Sequence, residues 1–239
     1  MLIDAKPEDI LFLDIETVPQ FENYKQLPEV DKLLWDKKAK NIDKEAENGE
    51  NIYERAGIYA EFGKIICISS GLIVNKNGER FFRVKSFYGD NEKELLESFA
   101  DMLKLFGNRK NVSLCAHNGK EFDFPYIARR MLINGIELPN ILNVAGKKPW
   151  EVPFLDTMEL WKFGDFKHYT SLNLLTHVFN IPSPKDDIDG SQVAECYYVQ
   201  KDLQRIATYC EKDTLAVAQL FLRYNGLPTV NVGNIERVG

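Results

Sequence analysis

The chain has 239 residues, of which 44% are hydrophobic and 28% are charged, and its formal net charge at pH 7 is −6. These values are ordinary for a globular protein that buries a full hydrophobic core, and we expect a single domain spanning residues 1–239. The negative charge argues against a protein that binds nucleic acid through a broadly basic surface. It is compatible with an enzyme that holds a polyanion through metal ions in one groove.

The cysteines and the N-terminus indicate the cellular compartment. No two of the four cysteines form a Cys-x-x-Cys pair, which favours small buried thiols in a reducing environment. The first residues lack the basic and apolar regions of a signal peptide, and the best apolar run, residues 65–74, is interrupted by two serines and a glycine. We therefore expect a cytoplasmic protein that has no membrane partner.

The first predicted strand, residues 10–17, is apolar and becomes acidic at its end. Because side chains alternate between the two faces of a strand, Asp14 and Glu16 point the same way. Two adjacent carboxylates repel each other unless a positive group lies between them, and a hard divalent cation would suit these oxygen ligands. A strand that simply exits into solvent is the alternative. We expect Val18 and Pro19 to end the extended run, because proline cannot donate to a strand ladder.

Residues 20–58 form a charged segment that we interpret as an insertion beside the first strand. Val30, Leu33 and Leu34 have the spacing of one helix face, which predicts a short amphipathic helix lying on the protein body. The segment could act as a lid over a substrate groove. A solvated helical hairpin with no role in chemistry is at least as consistent with this sequence.

The remaining elements follow from hydrophobic periodicity and from turn and cap signals. In chain order, the sequence predicts strands over 63–74 and 80–88, a helix over 91–106, a strand over 111–116, a helix over 121–134, a short last strand over 154–156, and helices over 171–179, 191–199 and 202–224. These elements predict an α/β (α+β) fold. Its mixed sheet contains an antiparallel three-strand meander plus parallel strands and is flanked by helices, with a helical C-terminal part over about 170–224.

A second acidic segment, residues 117–127, lies where the fourth strand gives way to a helix. Asp123 would lie near the first turn of that helix, where backbone N–H groups favour anions, and Phe122 would help to anchor it. An ordinary N-terminal helix acid is the alternative interpretation of Asp123. Asn118 is either a plain turn residue or a residue that holds a phosphate or sugar oxygen.

A third segment, in the long C-terminal helix, places Tyr209 and Asp213 four residues apart and hence on one helix face. The neighbouring apolar residues make this largely a core face. An unpaired carboxylate buried there would be costly, and a metal ion shared with Asp14 would supply its partner.

The three segments together, in this order, carry a family resemblance. Asp-Ile-Glu-Thr at 14–17, Asn-x-x-x-Phe-Asp at 118–123 followed by Pro-Tyr, and Tyr-x-x-x-Asp at 209–213 resemble the 3′–5′ exonucleases of the DEDD type. That family has a ribonuclease-H-like fold. The resemblance is to the proofreading domain of family-B DNA polymerases and to stand-alone bacterial exonucleases related to it, and it spans about residues 10–224.

The resemblance implies a metal site and its subtype. It implies that two divalent metal ions, Mg²⁺ or Mn²⁺, are held by four acids: Asp14, Glu16, Asp123 and Asp213. It also implies that Tyr209 positions the attacking water. The sister branch has a histidine five residues before the last aspartate, where this chain has Thr208, so the resemblance is to the tyrosine subtype (DEDDy).

The resemblance also implies the substrate contacts. They are Thr17 and Val18 at the terminal nucleotide, and Asn118 and Phe122 along the strand. An aromatic run could stack unpaired bases, with lysines 162 and 167 on phosphates, although core packing is the better interpretation for about half of the run. Its members are Phe163, Phe166, His168 and Tyr169. Asp156 begins a capping-box pattern and is interpreted as structural.

The expected reaction is hydrolysis at the 3′ end of single-stranded or frayed DNA, which releases nucleoside 5′-monophosphates. Trimming of RNA is the alternative, and a non-catalytic nucleic-acid-binding module is a third, which the presence of all four acids opposes. We expect no polymerase region within the sequence, so a polymerase or repair complex would act in trans. The sequence carries no signal for an oligomeric state.

Overall fold

The computed structural model describes residues 5–44, 48–165, 169–182 and 188–238. The strands are β1 (Ile10–Pro19), β2 (Gly63–Lys76), β3 (Glu79–Tyr88), β4 (Ser113–Ala116), β5 (Phe154–Asp156) and β6 (Ile235–Arg237). The helices are α1 (Glu29–Ile42), α2 (Glu92–Gly107), α3 (Asp123–Ile133), α4 (Thr157–Lys162), α5 (Leu172–Val178), α6 (Val193–Glu195) and α7 (Leu203–Tyr224). None of the helices in these ranges is both long and apolar enough to cross a membrane.

The six strands form one mixed sheet in the order β5-β4-β1-β2-β3-β6. β1, β2 and β3 pair antiparallel, whereas β4 pairs parallel with β1, β5 with β4, and β6 with β3. The predicted α/β class and the antiparallel meander with added parallel strands are confirmed. Strand β6 was not predicted, because a three-residue segment with one apolar residue gives no alternation to detect.

The two faces of β1 bury different helices. Leu11, Leu13 and Ile15 belong to a cluster that includes residues of α2 and α3, whereas Ile10 and Phe12 pack with residues of α7. Since strand side chains alternate, the even-numbered positions after Phe12 also face α7. This alternation fixes which helix lies opposite the acids of the strand.

The inserted segment contains the predicted helix, but the predicted face of that helix is wrong. Val30, Leu33 and Leu34 are 66%, 62% and 50% exposed, whereas Trp35 and Ala39 are fully buried. The indole of Trp35 packs edge-on against Tyr53 of the insertion and against Phe62, and it donates a hydrogen bond to the Gly49 carbonyl. The helix therefore buries the face that carries the large indole of Trp35, and not the face that carries the three aliphatic residues.

The end of the insertion is attached firmly to β1. A 3₁₀ segment, Glu50–Ile58, brings Gly57 against the backbone of Val18 and Pro19. The Gly57 carbonyl accepts hydrogen bonds from the hydroxyls of Thr17 (2.9 Å) and Tyr126 (2.8 Å). The insertion is thus held by the core at this end, and its action as a lid stays a prediction.

Two other boundaries differ from the prediction. β1 continues to Pro19, which still pairs with Gly63. Proline lacks the N–H donor but keeps its carbonyl as an acceptor, so the strand can include it. The helix predicted over 191–199 is divided into a 3₁₀ turn, the short α6 and a π-helical turn at Cys196–Gln200. Lys201, which follows this turn, has a left-handed backbone (φ 58°), and this interrupts the helix before α7.

Candidate active site

The first acid pair lies within the second half of β1, on the face that α7 covers, and not at the end of the strand as predicted, since β1 continues to Pro19. Asp14 is partly buried, and Glu16 is only 8% exposed. A β-bulge between Glu16 and Thr17 shifts the pairing with β2 directly after the acids. Bulges re-aim the side chains that follow them, and Thr17 here turns to the inserted segment.

Asp123 reaches the same place from the first turn of α3. The chain turns from β4 into this helix through Asn118, whose backbone is left-handed (φ 61°), and through Gly119, where a Cβ atom would lie 2.4 Å from the Ala116 Cβ. The Asp123 carboxylate accepts a hydrogen bond from the Ile15 backbone N–H. That bond ties the start of α3 directly to the acidic part of β1.

Helix α7 supplies Tyr209 and Asp213. Its start is capped by Asp202, whose carboxylate accepts a hydrogen bond from the Arg205 N–H. The Tyr209 hydroxyl is hydrogen-bonded to the Asp213 carboxylate, as the four-residue spacing allows. Burial, followed by the charges of Asp213 and the β1 acids, raises the pKa of Tyr209, so the hydroxyl keeps its proton.

One cavity of about 410 Å³ collects the predicted metal-site residues. The predicted residues that line it are Asp14, Glu16, Asn118, Phe122, Asp123, Tyr209 and Asp213. They come from β1, the β4–α3 turn and α7, which are far apart in the chain. The structure thus brings all four predicted acids and the tyrosine together.

The electrostatics of the cavity are those of mutually repelling acids. Burial, then the charges of Glu16, Asp213 and Asp123, raises the pKa of Asp14 well above its ordinary value. Burial and the charge of Asp213 raise the pKa of Glu16 in the same way. Burial and the charge of Asp156 raise the pKa of Asp123 to about 7, although two backbone hydrogen bonds oppose this shift.

The donor set fits divalent metal ions. No Lys or Arg is among the described residues that line this cavity. Carboxylate oxygens are the ligands that Mg²⁺ and Mn²⁺ prefer. A buried cluster of acids with raised pKa values is stabilised either by protons or by such ions.

Cys210 also contacts this cluster, and sequence reasoning treated it only as a small buried thiol. Its Sγ lies 3.3 Å from the Asp14 carbonyl, to which the thiol donates, and one ligand atom each from Cys210, Asp14 and Glu16 lie within 4.8 Å of one another. The sequence feature that could have indicated its contact with the site was its position, three residues before Asp213 and next to Tyr209 in the helix. The thiol hydrogen bond fixes α7 against β1 at the site.

The predicted substrate residues divide into two groups. Phe122 lines the cavity, and Asn118 does so with a buried Oδ1 atom that has no hydrogen-bond partner among the described residues. Thr17 lies just beyond Glu16 and lines an adjoining cavity. The Val18 side chain, in contrast, is fully buried in a hydrophobic cluster, and the structure does not bring it to either cavity.

Of the aromatic run, Tyr169 lines the first cavity and is 67% exposed, whereas Phe163 is 74% exposed and lines neither cavity. Residues 166–168, which include the predicted Phe166, Lys167 and His168, lie outside the described residues.

Two polar residues beside the cavity have structural roles. Asp156 caps α4 by accepting hydrogen bonds from the Met158 and Glu159 N–H groups, and it accepts two more from the β4–α3 turn. Its predicted structural role is confirmed. The two ring nitrogens of His117 contact the Thr157 hydroxyl and the Thr170 carbonyl, and burial lowers its pKa.

Comparison with known proteins gives the family. Residues 58–231 match the family described as predicted 3′–5′ exonucleases related to the exonuclease domain of PolB. The matched range contains Asp123, Tyr209 and Asp213, whereas Asp14 and Glu16 precede it.

Two relatives are archaeal proteins named DNA polymerase. The one from Pyrococcus glycovorans is 24% identical over 143 residues, which cover 54% of this chain and 18% of the polymerase. The one from Thermococcus gorgonarius is 24% identical over 190 residues, which cover 72% of this chain and 23% of the polymerase. The chain therefore spans less than a quarter of the length of these relatives.

Proposed function

This chain belongs to the family of predicted 3′–5′ exonucleases related to the exonuclease domain of PolB, and from that premise we propose that it hydrolyses phosphodiester bonds at the 3′ end of single-stranded or frayed DNA. The proposed products are nucleoside 5′-monophosphates. The observation that supports this most directly is the convergence of four acids and a tyrosine, from distant chain segments, on one cavity. A non-catalytic binding module would gain nothing from mutually repelling buried acids.

Four acids, Asp14, Glu16, Asp123 and Asp213, would hold two divalent ions, Mg²⁺ or Mn²⁺. When bound, such ions stabilise the charge on the attacking and leaving oxygens of an in-line displacement at phosphorus and make hydroxide available near neutral pH. The Ile15 N–H holds the Asp123 carboxylate against β1, and the Cys210 thiol holds α7 against the Asp14 carbonyl. The ligands are therefore positioned before substrate arrives.

Tyr209 orients the attacking water and does not abstract its proton. Its raised pKa keeps the hydroxyl protonated, and its hydrogen bond to Asp213 fixes the ring at the wall of the cavity. That bond uses the one hydroxyl proton, so the tyrosine oxygen accepts a hydrogen bond from the attacking water, and a lone pair of the water can face the phosphorus. The tyrosine therefore contributes to catalysis by orienting the attacking water.

Asn118 and Phe122 would hold the strand. The buried Oδ1 atom of Asn118 is an acceptor with no partner among the described residues, and such an atom is costly unless a ligand or water satisfies it. A sugar hydroxyl or a base N–H would satisfy it. Phe122 lies at the junction of the two cavities, where its ring can contact a sugar or base.

A polymerase or a repair complex is the proposed partner. The two relatives are named DNA polymerase, and this chain matches only a part of each. The acids themselves do not select the sugar, since discrimination between RNA and DNA depends on contacts to the 2′-hydroxyl. The substrate must therefore be established by direct comparison.

The test is digestion of matched DNA and RNA oligonucleotides in Mg²⁺ or Mn²⁺, with circular single-stranded DNA in parallel. We expect a 5′-labelled DNA strand to shorten stepwise, a 3′-labelled strand to lose its label first, and the circle to stay intact. Asp213→Asn is the control and should be inactive. Internal cuts in the circle, or equal digestion by Asp213→Asn, would contradict the proposal.

A further inference from the structure

A groove separate from the active site lies between α3 and β5, the strand at one edge of the sheet, and we call it the α3–β5 groove. Its volume is about 360 Å³, within the ~300–1,000 Å³ of ligand sites. None of the described residues that line it also lines the catalytic cavity. Its apolar walls are formed by Pro125 and Ala128 of α3, Leu142 and Val144 of the loop that follows α3, and Val152 and Phe154 at β5.

The floor of the groove suits an inserted apolar side chain better than a nucleic-acid base. Phe124 and Phe154 pack against each other with their ring centroids 4.3 Å apart, and they are only 1% and 7% exposed. Neither ring therefore offers a free face on which an unpaired base could stack. The rest of the apolar lining is aliphatic. Such a lining matches an apolar anchor side chain of a protein partner.

The rim of the groove is basic, although the net charge of the chain is −6. Lys147 lines the groove and is exposed, and within the described ranges its ammonium has no hydrogen bond or ion pair. Glu159, the one acid among the described lining residues, forms an ion pair with Lys120. Lys148 adds a further exposed positive charge next to Lys147. Unpaired lysines beside an apolar groove favour an acidic partner.

The same surface continues along α3. Arg129 and Leu132 follow Pro125 by four and seven residues, so they lie on the helix face that Pro125 presents to the groove. Arg129 is exposed, and Leu132 is 63% exposed although it is a large apolar residue. An apolar patch with a charged rim is typical of surfaces that bind another protein.

We propose that the α3–β5 groove binds an acidic peptide segment of a partner protein. One apolar side chain of the segment inserts between α3 and β5, and its carboxylates contact Lys147 and Arg129. Because the groove shares no lining residue with the catalytic cavity, a partner bound there leaves the acids accessible to a strand. The inference concerns a second surface and does not depend on the proposed function.

The test uses a panel of fluorescently labelled hexapeptides, Asp-Glu-x-x-Asp-Glu, in which the central positions take every pairing of Leu, Ile, Val, Met, Phe and Trp. Fluorescence anisotropy in a chelator measures their binding to the full chain. We expect saturable binding by members of this panel. The best peptide should lose binding when its central pair is replaced by Ser-Ser or its acids by the corresponding amides. Unlabelled oligothymidylate should not displace it.

Two substitutions locate the peptide. Ala128→Glu projects a carboxylate into the groove and should weaken binding of the best peptide about 10-fold or more. Its control is Ile133→Glu, at an exposed position of α3 outside the groove. Lys147→Glu replaces an attraction by a repulsion and should weaken binding about 3- to 10-fold. Its control is Lys93→Glu, an exposed lysine on α2. Both controls should bind as the wild type does.

Thermal melting verifies that each variant is folded, and if Ala128→Glu unfolds, the exposed position Lys147 decides alone. The inference is overturned if no peptide of the panel binds, if either folded groove variant binds as the wild type does, or if oligothymidylate displaces the peptide. The last result would make the groove a nucleic-acid site. Peptide binding by a wild type that digests no strand would overturn the proposed function alone.

Discussion

Asp123 has the pKa that is most useful for experiment. Burial raises it from the ordinary 3.8 to about 7, so the folded chain binds this proton more tightly than the unfolded chain does. A carboxyl group with a raised folded-state pKa stabilises the protein below about pH 4, and this stabilisation is lost as the pH rises through about 7.

We predict that metal-free wild type melts at a lower temperature at pH 8 than at pH 5, as measured by calorimetry in a chelator. Asp123→Asn should flatten this dependence, since it removes a group whose proton is lost in that interval. Asp101→Asn is the control, because its exposed side chain should leave the slope unchanged. An unchanged slope in Asp123→Asn would show that this carboxyl group titrates as an exposed one.

Tyr209→Phe keeps the ring but removes the hydroxyl that orients the water. We expect strand digestion to slow by about 10- to 1000-fold, with strand binding retained, as for loss of a catalytic hydrogen bond. Single-turnover digestion and equilibrium binding measure the two effects separately. Tyr88→Phe, which loses an exposed hydroxyl away from both cavities, should digest normally. Equal rates in both variants would make Tyr209 a packing residue.

For single residues, the sequence was sufficient where a functional role follows from the spacing of residues within one strand or helix. The alternation of β1 and the four-residue spacing in α7 each place a pair of functional side chains without knowledge of the fold. Cys210 could not be assigned, because its role depends on which segment lies opposite. Val18 shows the same limit, since its burial depends on α6 and β2.

Among the elements, α1 shows why a periodic pattern can select the wrong face. Val30, Leu33 and Leu34 share one face of the helix, but Trp35 and Ala39, also four apart, share another. The residues that cover Trp35 come from further along the chain, so local periodicity cannot rank the two faces. Strands β1 to β5 were predictable because each carries its own apolar pattern, whereas β6 carries none.

Trp35→Ala should destabilise the insertion, because removing a buried tryptophan costs about 3–5 kcal/mol. We expect a lower melting temperature, and a higher KM for strand digestion because Glu54–Ile58 loses support. Leu34→Ala, at a half-exposed position on the same helix, should change both little. Equal destabilisation by the two substitutions would mean that α1 packs through its aliphatic face. Denaturant unfolding and steady-state digestion measure these effects.

For the whole molecule, the fold brings together acids that the chain separates. The mixed sheet pairs β4 with Ile10–Phe12 of β1, just before the acids, and α7 packs on the face of β1 that carries them, so three distant segments meet at one cavity. The motif order predicted this convergence through a family resemblance. The adjoining cavity beyond Glu16 was not predictable, because it is formed by an insertion whose packing depends on Trp35 and Gly57.

The central claim is that Asp14 and Asp213 share one metal site, and thermal melting with and without Mn²⁺ tests it most directly. A ligand at a hundredfold excess over its Kd stabilises the folded state by about 2.7 kcal/mol, which at this size raises Tm by roughly 2–4 °C per kcal/mol. Wild type should therefore gain several degrees from Mn²⁺. Asp14→Asn and Asp213→Asn should each melt higher than metal-free wild type, because one repelling charge is gone, and should gain less from Mn²⁺. If either variant melts lower than metal-free wild type and keeps the full metal-induced shift, the two carboxylates do not share a metal site.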